Sequence, residues 1–195
     1  MSSQDSLFAD SGLPPQLVAD LRDLNPWWEG DPMPLQPQTR RHLVVQMRRR
    51  LDAEIAPIIV VRGPRQVGKT TAQFQIIADL LDEGVPPTSI LRVQFEELAS
   101  LQRIEDPILA ISRWFERKIT GARFNALARD GQKAYLFFDE IQNLDGWDAQ
   151  LKFLVDNASV KVVVTESSEL ETERGWYSLA GRTNTIDVGS PDRAS

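Results

Sequence analysis

Cysteine is absent from this 195-residue chain, and histidine occurs once, as His42. No disulfide, thiolate metal centre or thiol nucleophile is therefore available. One histidine argues against a metal site built from imidazoles. Long apolar runs are missing too: none approaches the ~18 residues that span a bilayer. The N-terminus lacks the basic-then-apolar layout of a secretion signal. Basic charge is in deficit, with 22 Lys and Arg against 28 Asp and Glu and a net charge of -6. That balance argues against a general nucleic-acid binder but leaves room for a local basic patch. A cytoplasmic protein without membrane association is the expectation. The 42% hydrophobic and 26% charged residues make an ordinary globular composition, long enough for one substantial domain.

One stretch organises the remainder. Residues 62–71, Arg-Gly-Pro-Arg-Gln-Val-Gly-Lys-Thr-Thr, fit G-x-x-x-x-G-K-[ST]. The β-branched run 58–61 before it reads as a buried parallel strand. Residues 71–81 after it read as a helix with Phe74, Ile77, Ala78 and Leu81 on one face. Strand, glycine loop and helix together form a phosphate cradle. Gly63 and Gly68 are expected to supply the backbone angles that aim successive N–H groups into one concavity. The helix N-terminus adds positive potential. Lys69 brings a charge for the β- and γ-phosphates, and the Thr70 hydroxyl suits Mg²⁺. The second motif is an apolar strand at 134–138 ending in Asp139-Glu140. It would deliver its carboxylates to the sheet edge where ligands of open α/β folds bind. Asp139 would hold Mg²⁺ through water or Thr70, and Glu140 would polarise the attacking water as general base.

Residues 1–10 read as frayed, 14–24 as a short helix bearing Leu17, Val18, Leu21 and Leu24, and 25–37 as a proline-rich strap. Trp27 and Trp28 in the strap either staple it to the domain or line an adenine pocket. A helix over 39–55 would bury Leu43, Val44, Met47, Leu51 and Ile55. Its arginines 40, 41, 48, 49 and 50 form a solvated basic face or a local partner contact. Gly84 and Pro86-Pro87 end the phosphate-loop helix. A strand at 90–95 leads to Glu96, Glu97 and Asp106, solvated or in one case near the metal. A long helix over 107–129 is open to a break at Gly121. A helix at 148–156, a strand at 160–164 and a last strand at 185–188 complete the core. Thr165, at a strand end, is a candidate sensor of lytic water or γ-phosphate, or else a turn threonine. The charged stretch 169–174 reads as exposed.

Gly-Pro-Arg-Gln-Val-Gly-Lys-Thr-Thr, Phe-Phe-Asp-Glu-Ile-Gln-Asn-Leu, a strand ending Thr-x-Ser-Ser, and Ser-Leu-Ala-Gly-Arg occur here in that order. The combination resembles the AAA+ class of P-loop ATPases. It is most similar to a prokaryotic subgroup whose AAA domain usually precedes a C-terminal domain of unknown function. The likeness covers residues 25–188. It implies a three-layer α/β fold with a parallel five-stranded sheet of order 5-1-4-3-2 and helices on both faces. It implies ATP phosphates at Gly63, Pro64, Arg65, Gln66, Val67, Gly68, Lys69, Thr70 and Thr71, and Mg²⁺ at Thr70 and Asp139. It further implies Glu140 as catalytic base, Thr165 as polar sensor, and Arg182 as an arginine finger acting on a neighbouring subunit. The sequence departs from the subgroup in two ways. Glu166 stands where glycine is usual, so that a carboxylate either faces the γ-phosphate or faces solvent. No helical lid follows the last strand, which implies either a truncated gene product or a homo-oligomer or partner protein that supplies one. The expected organisation is an N-terminal helix and strap over 1–38, an ATPase core over 39–189 and a disordered tail over 190–195. Three functions fit these residues: an Mg-dependent ATPase, a nucleotide-gated regulatory module with little turnover, and a P-loop kinase.

Overall fold

The computed structural model describes residues 12–39, 42–96, 98–167 and 173–189. The expectations for 1–10, Arg40, Arg41, Glu97, Ser168, 169–172 and the tail 190–195 lie outside the described residues. Five parallel strands form the sheet: β1 (Ile58–Gly63), β2 (Ile90–Gln94), β3 (Ala134–Asp139), β4 (Val160–Ser167) and β5 (Thr183–Asp187). Their order is β2-β3-β4-β1-β5, the 5-1-4-3-2 arrangement read from the other edge. Strands β1 to β4 are mainly apolar because both of their faces are covered, whereas the edge strand β5 is polar and largely half-buried.

Alternation along the strands divides the core into two layers. Ile58, Val60, Leu136, Phe138, Val162 and Val164 face one layer. There they meet helices α1 (Pro15–Leu24), α4 (Pro107–Phe115), α5 (Phe124–Arg129) and α6 (Trp147–Asn157). Ile59, Val61, Phe137 and Val163 face the other, against α2 (His42–Ala53) and α3 (Lys69–Asp82). The phosphate-loop helix α3 therefore lies on one defined side of the sheet, and every odd residue of β4 points toward that side.

Several expectations shift. Helix α2 ends at Ala53 because Glu54 is in the left-handed region at φ 55. Ile55 thus leaves the stripe and is 77% exposed. On α3 the buried face is Ala72, Gln73, Ile76, Ile77 and Leu80, not the row through Phe74, Ala78 and Leu81. A helix this apolar offers two overlapping stripes, and anchoring its first turn in the phosphate loop selects between them. The long helix breaks at Gly121, after a π turn over Glu116–Thr120. β4 runs three residues beyond the expected end, and β5 starts two residues early. The proline-rich strap follows the exposed edge of β2, where Trp27 and Trp28 both donate their indole N–H to the Ile90 carbonyl, at 3.0 and 2.7 Å. Ile90 opens β2, so the tryptophans sit at the opposite end of the sheet from the phosphate loop. They staple the strap and do not line the phosphate end of the site.

Candidate functional site

The turn between β1 and α3 explains its glycines in two different ways. Gly68 adopts φ 88, a conformation that side-chain-bearing residues avoid. Gly63 has an ordinary φ, and its small size is what matters: a Cβ there would lie 2.6 Å from the Val188 carbonyl oxygen. The structure thus corrects the expectation for Gly63 from backbone freedom to close approach. Between them Gln66 also takes a left-handed conformation, φ 64, which curls the loop over Gly68. The first intrahelical bond of α3 is Ala72 N–H to Gly68 O at 2.9 Å. The N–H groups of Lys69, Thr70 and Thr71 precede it and project from the helix N-terminus.

Lys69 is only 4% exposed. Its ammonium donates to the carbonyls of Gly63 and Pro64, each at 2.8 Å, and reaches Ser167 Oγ at 3.5 Å. The nearest carboxylate oxygen, on Glu140, is 3.8 Å away. Burial pushes the Lys69 ammonium below the usual lysine range, against the opposing pull of Glu140 and Asp139. A buried cation held mainly by neutral carbonyls is poised to accept an anion.

The β3 edge meets this loop directly. Thr70 Oγ1 donates to Asp139 Oδ2 at 2.9 Å. The same oxygen accepts Arg92 NH2 at 2.7 Å. The Thr165 hydroxyl donates to Asp139 Oδ1 and accepts the Glu140 N–H at 3.0 Å. Glu140 itself sits at φ 54, a left-handed turn that lifts its side chain off the strand. Ser167 Oγ lies 3.0 and 2.8 Å from its two carboxylate oxygens, and Gln142 Nε2 donates to Oε2 at 2.6 Å. A cleft of about 460 Å³ opens between Arg65, Gln66, Gly68, Lys69, Thr70 and Thr71 on one side and Gln94, Glu96, Asp139 and Glu140 on the other. Arg65 bridges the mouth to Glu96 at 2.7 Å.

These groups fit a magnesium–nucleotide. Mg²⁺ usually keeps several waters and binds through one or two protein oxygens plus phosphates, without an all-protein cage. The described residues contain no cluster of three or more acidic, histidine or cysteine side chains able to cage a metal. They do contain the hydroxyl–carboxylate pair of Thr70 and Asp139 beside a buried ammonium.

Two expected site residues are placed differently from the others. The Thr165 hydroxyl commits its one proton to Asp139 and accepts the Glu140 N–H, beneath the cleft. Arg182 lies just before β5, where its carbonyl accepts Ile58 N–H, at the far end of the sheet from the phosphate loop. Its guanidinium forks onto Asp156 at 2.6 and 3.0 Å. Glu166 faces neither solvent nor phosphate. It is fully buried on the sheet side away from α3, bound by Arg62 and, at 2.7 Å, by Trp176 Nε1.

Sequence reasoning missed Ser167 and Arg92. Ser167 follows Thr165 by the strand period of two, so it shares that face, and the spacing alone signals it. Arg92 stands between Leu91 and Val93, and a charge inside a buried parallel strand is itself a signal.

Residues 56–190, well over half the chain, match a family described as AAA domain. No curated protein matches the chain. Among solved structures, the Walker-type ATPase PABY2304 of Pyrococcus abyssi is similar, with a TM-score of 0.54 at 17% identity. The alignment covers 82% of this chain and 58% of that one, so this chain spans less than two thirds of that protein. At such identity the likeness is one of fold. The domain match, the strand order and the loop between β1 and α3 agree, and the chain belongs to the AAA domain family, built on a P-loop NTPase core.

Proposed function

We propose that this chain binds ATP in the cleft between α3 and β3 and, with Mg²⁺, hydrolyses it to ADP and phosphate. One observation carries the reading: Lys69, Thr70, Asp139 and Glu140 come from two separate segments and line one cleft. The N–H groups of the loop and of the first turn of α3 would bind phosphate oxygens. Lys69 would exchange its loop carbonyls for the β- and γ-phosphates. Thr70 and Asp139 would hold the magnesium ion, whose chemistry is to neutralise charge on the phosphates. Glu140 would take a proton from the attacking water. Ser167, in contact with Glu140 and 3.5 Å from Lys69, is the hydroxyl that could report the γ-phosphate. Thr165 serves from behind, as the support of Asp139 and Glu140. Arg182 would act on a neighbouring subunit after release from Asp156.

A second reading has its own support. The Glu140 carboxylate shares the single Ser167 hydroxyl proton between its two oxygens, and Gln142 donates to one of them. A chain that keeps these bonds with nucleotide bound would be a nucleotide-gated module with little turnover. Single-turnover hydrolysis of labelled ATP separates the two. We expect wild type to release phosphate and Glu140→Gln to bind ATP but release phosphate at least about a hundredfold more slowly, in the range of one lost general base. Equal rates for the two proteins would favour the module. Unchanged Mg-ATP affinity in Lys69→Ala would end the nucleotide reading altogether.

A further inference from the structure

Arg92 occupies a position where an apolar residue would be ordinary. It lies in β2 between Leu91 and Val93 and is 1% exposed. Its backbone is fixed by Asn25, whose side chain accepts Arg92 N–H at 2.6 Å and donates to Arg92 O at 2.8 Å. Its side chain leaves the strand toward α3, passes over the Phe74 ring at 4.4 Å, and ends 2.7 Å from Asp139 Oδ2. That oxygen is also the one bonded by Thr70.

Apart from Glu166, which Arg62 neutralises on the other face of the sheet, four buried charges stand around the cleft: Asp139 and Glu140 against Lys69 and Arg92. They sum to zero. With a neutral residue at 92 the same set would carry a net negative charge before any polyphosphate arrived. Stability alone is a poor reason for the pair, since a buried ion pair seldom outperforms apolar residues of similar volume. Its location on the carboxylate that faces the metal side of the cleft is the informative fact.

We propose that Arg92 is a resident counter-charge for Asp139 that lets the cleft capture ATP before a divalent cation is present. It is a positioning residue: it contacts Asp139 and acts on the nucleotide only through the field of the site. Divalent metal is then required for the chemistry and not for capture. This inference rests on the nucleotide-binding reading above and deepens it.

The test is titration of a fluorescent ATP analogue into the full chain, in excess EDTA and in excess Mg²⁺. Wild type should bind in EDTA within about fivefold of its Mg²⁺ value. Arg92→Met should lose about tenfold in EDTA and stay near wild type in Mg²⁺, the scale of one unit charge ~10 Å away at an effective dielectric of ~20. Arg92→Lys, which keeps the charge, should restore metal-free binding. Asp139→Asn, which removes one negative charge beside Arg92, should bind the metal-free analogue more tightly than wild type, and it decides the matter even where Arg92→Met does not fold. Loss of wild-type binding by a hundredfold or more on chelation would overturn the proposal. So would an equal loss in both buffers for Arg92→Met, or weaker metal-free binding by Asp139→Asn. Failure of the wild type to bind in either buffer would instead sink the nucleotide reading itself.

Discussion

At Lys69, the residue the cleft is built around, function is set against solvation. Its folded-state pKa is lowered, first by burial, while Glu140 and Asp139 oppose that shift. Between the folded and unfolded values, the unfolded chain holds the extra proton. Stability of the ligand-free fold therefore rises with pH across that window, and the penalty for the buried ammonium is fully present below it. Phosphate binding needs the protonated form, so affinity moves the other way. ATP affinity should begin to fall at a pH below that of an ordinary lysine, while Lys69→Arg should lose this pH dependence. A fluorescence titration from neutral to alkaline pH checks it, and a flat wild-type profile would contradict it. Thr165 makes a second prediction at this scale. Thr165→Val keeps the shape but strands the Glu140 N–H and one oxygen of Asp139. A loss of about 1–3 kcal/mol in denaturant unfolding is expected. A neutral result would mean that the hydroxyl is not the support described here.

The strap and β2 form the element whose role is least obvious. β2 is an edge strand, and an unpaired edge invites pairing with another chain. Asn25 replaces a neighbouring strand by bonding both the N–H and the C=O of Arg92, and Trp27 and Trp28 cap the carbonyl of Ile90. Removing Asn25 strands the N–H and C=O of Arg92 and takes a third bond from the Leu21 carbonyl. Asn25→Ala should cost about 3 kcal/mol and lower Tm by roughly 6–12 °C. It should also increase aggregation on heating, measurable by light scattering. A Tm within two degrees of wild type, at roughly 2–4 °C per kcal/mol, would show that the strap does not guard the edge.

For the whole molecule, β4 links two regions. Thr165 and Ser167 point to the α3 side, where they bond Asp139 and Glu140 from beneath the cleft, while Glu166 between them faces the other way, to Arg62 and Trp176. Trp176 belongs to the short helix α7 (Glu173–Tyr177) and packs against Trp147, ring centroids 4.4 Å apart and planes tilted by 47°. That helix leads to Arg182, held by Asp156 at the far end of the sheet. A role for Arg182 on a neighbour's nucleotide is testable by mixing. Arg182→Ala and Glu140→Gln chains should each be inactive alone, by about a hundredfold or more, with unchanged ATP affinity. Mixed together they should recover turnover, because some interfaces pair an intact finger with an intact base. Absence of recovery, with each variant binding ATP normally, would remove Arg182 from the reaction.

The sequence alone determined the phosphate loop, the Asp139-Glu140 strand end and the α/β class, because these depend on local patterns: residue spacing, β-branched runs and helix periodicity. Only the tertiary structure decided the reason for Gly63, which is the nearness of Val188, 125 positions along the chain by residue number. It likewise decided the stripe chosen on α3, the edge-guarding use of the tryptophans, the pairing of Glu166 with Arg62, and the presence of Arg92 on Asp139. Each of these is a contact between segments far apart in the chain, and its energy depends on burial and direction, which a one-dimensional pattern does not contain.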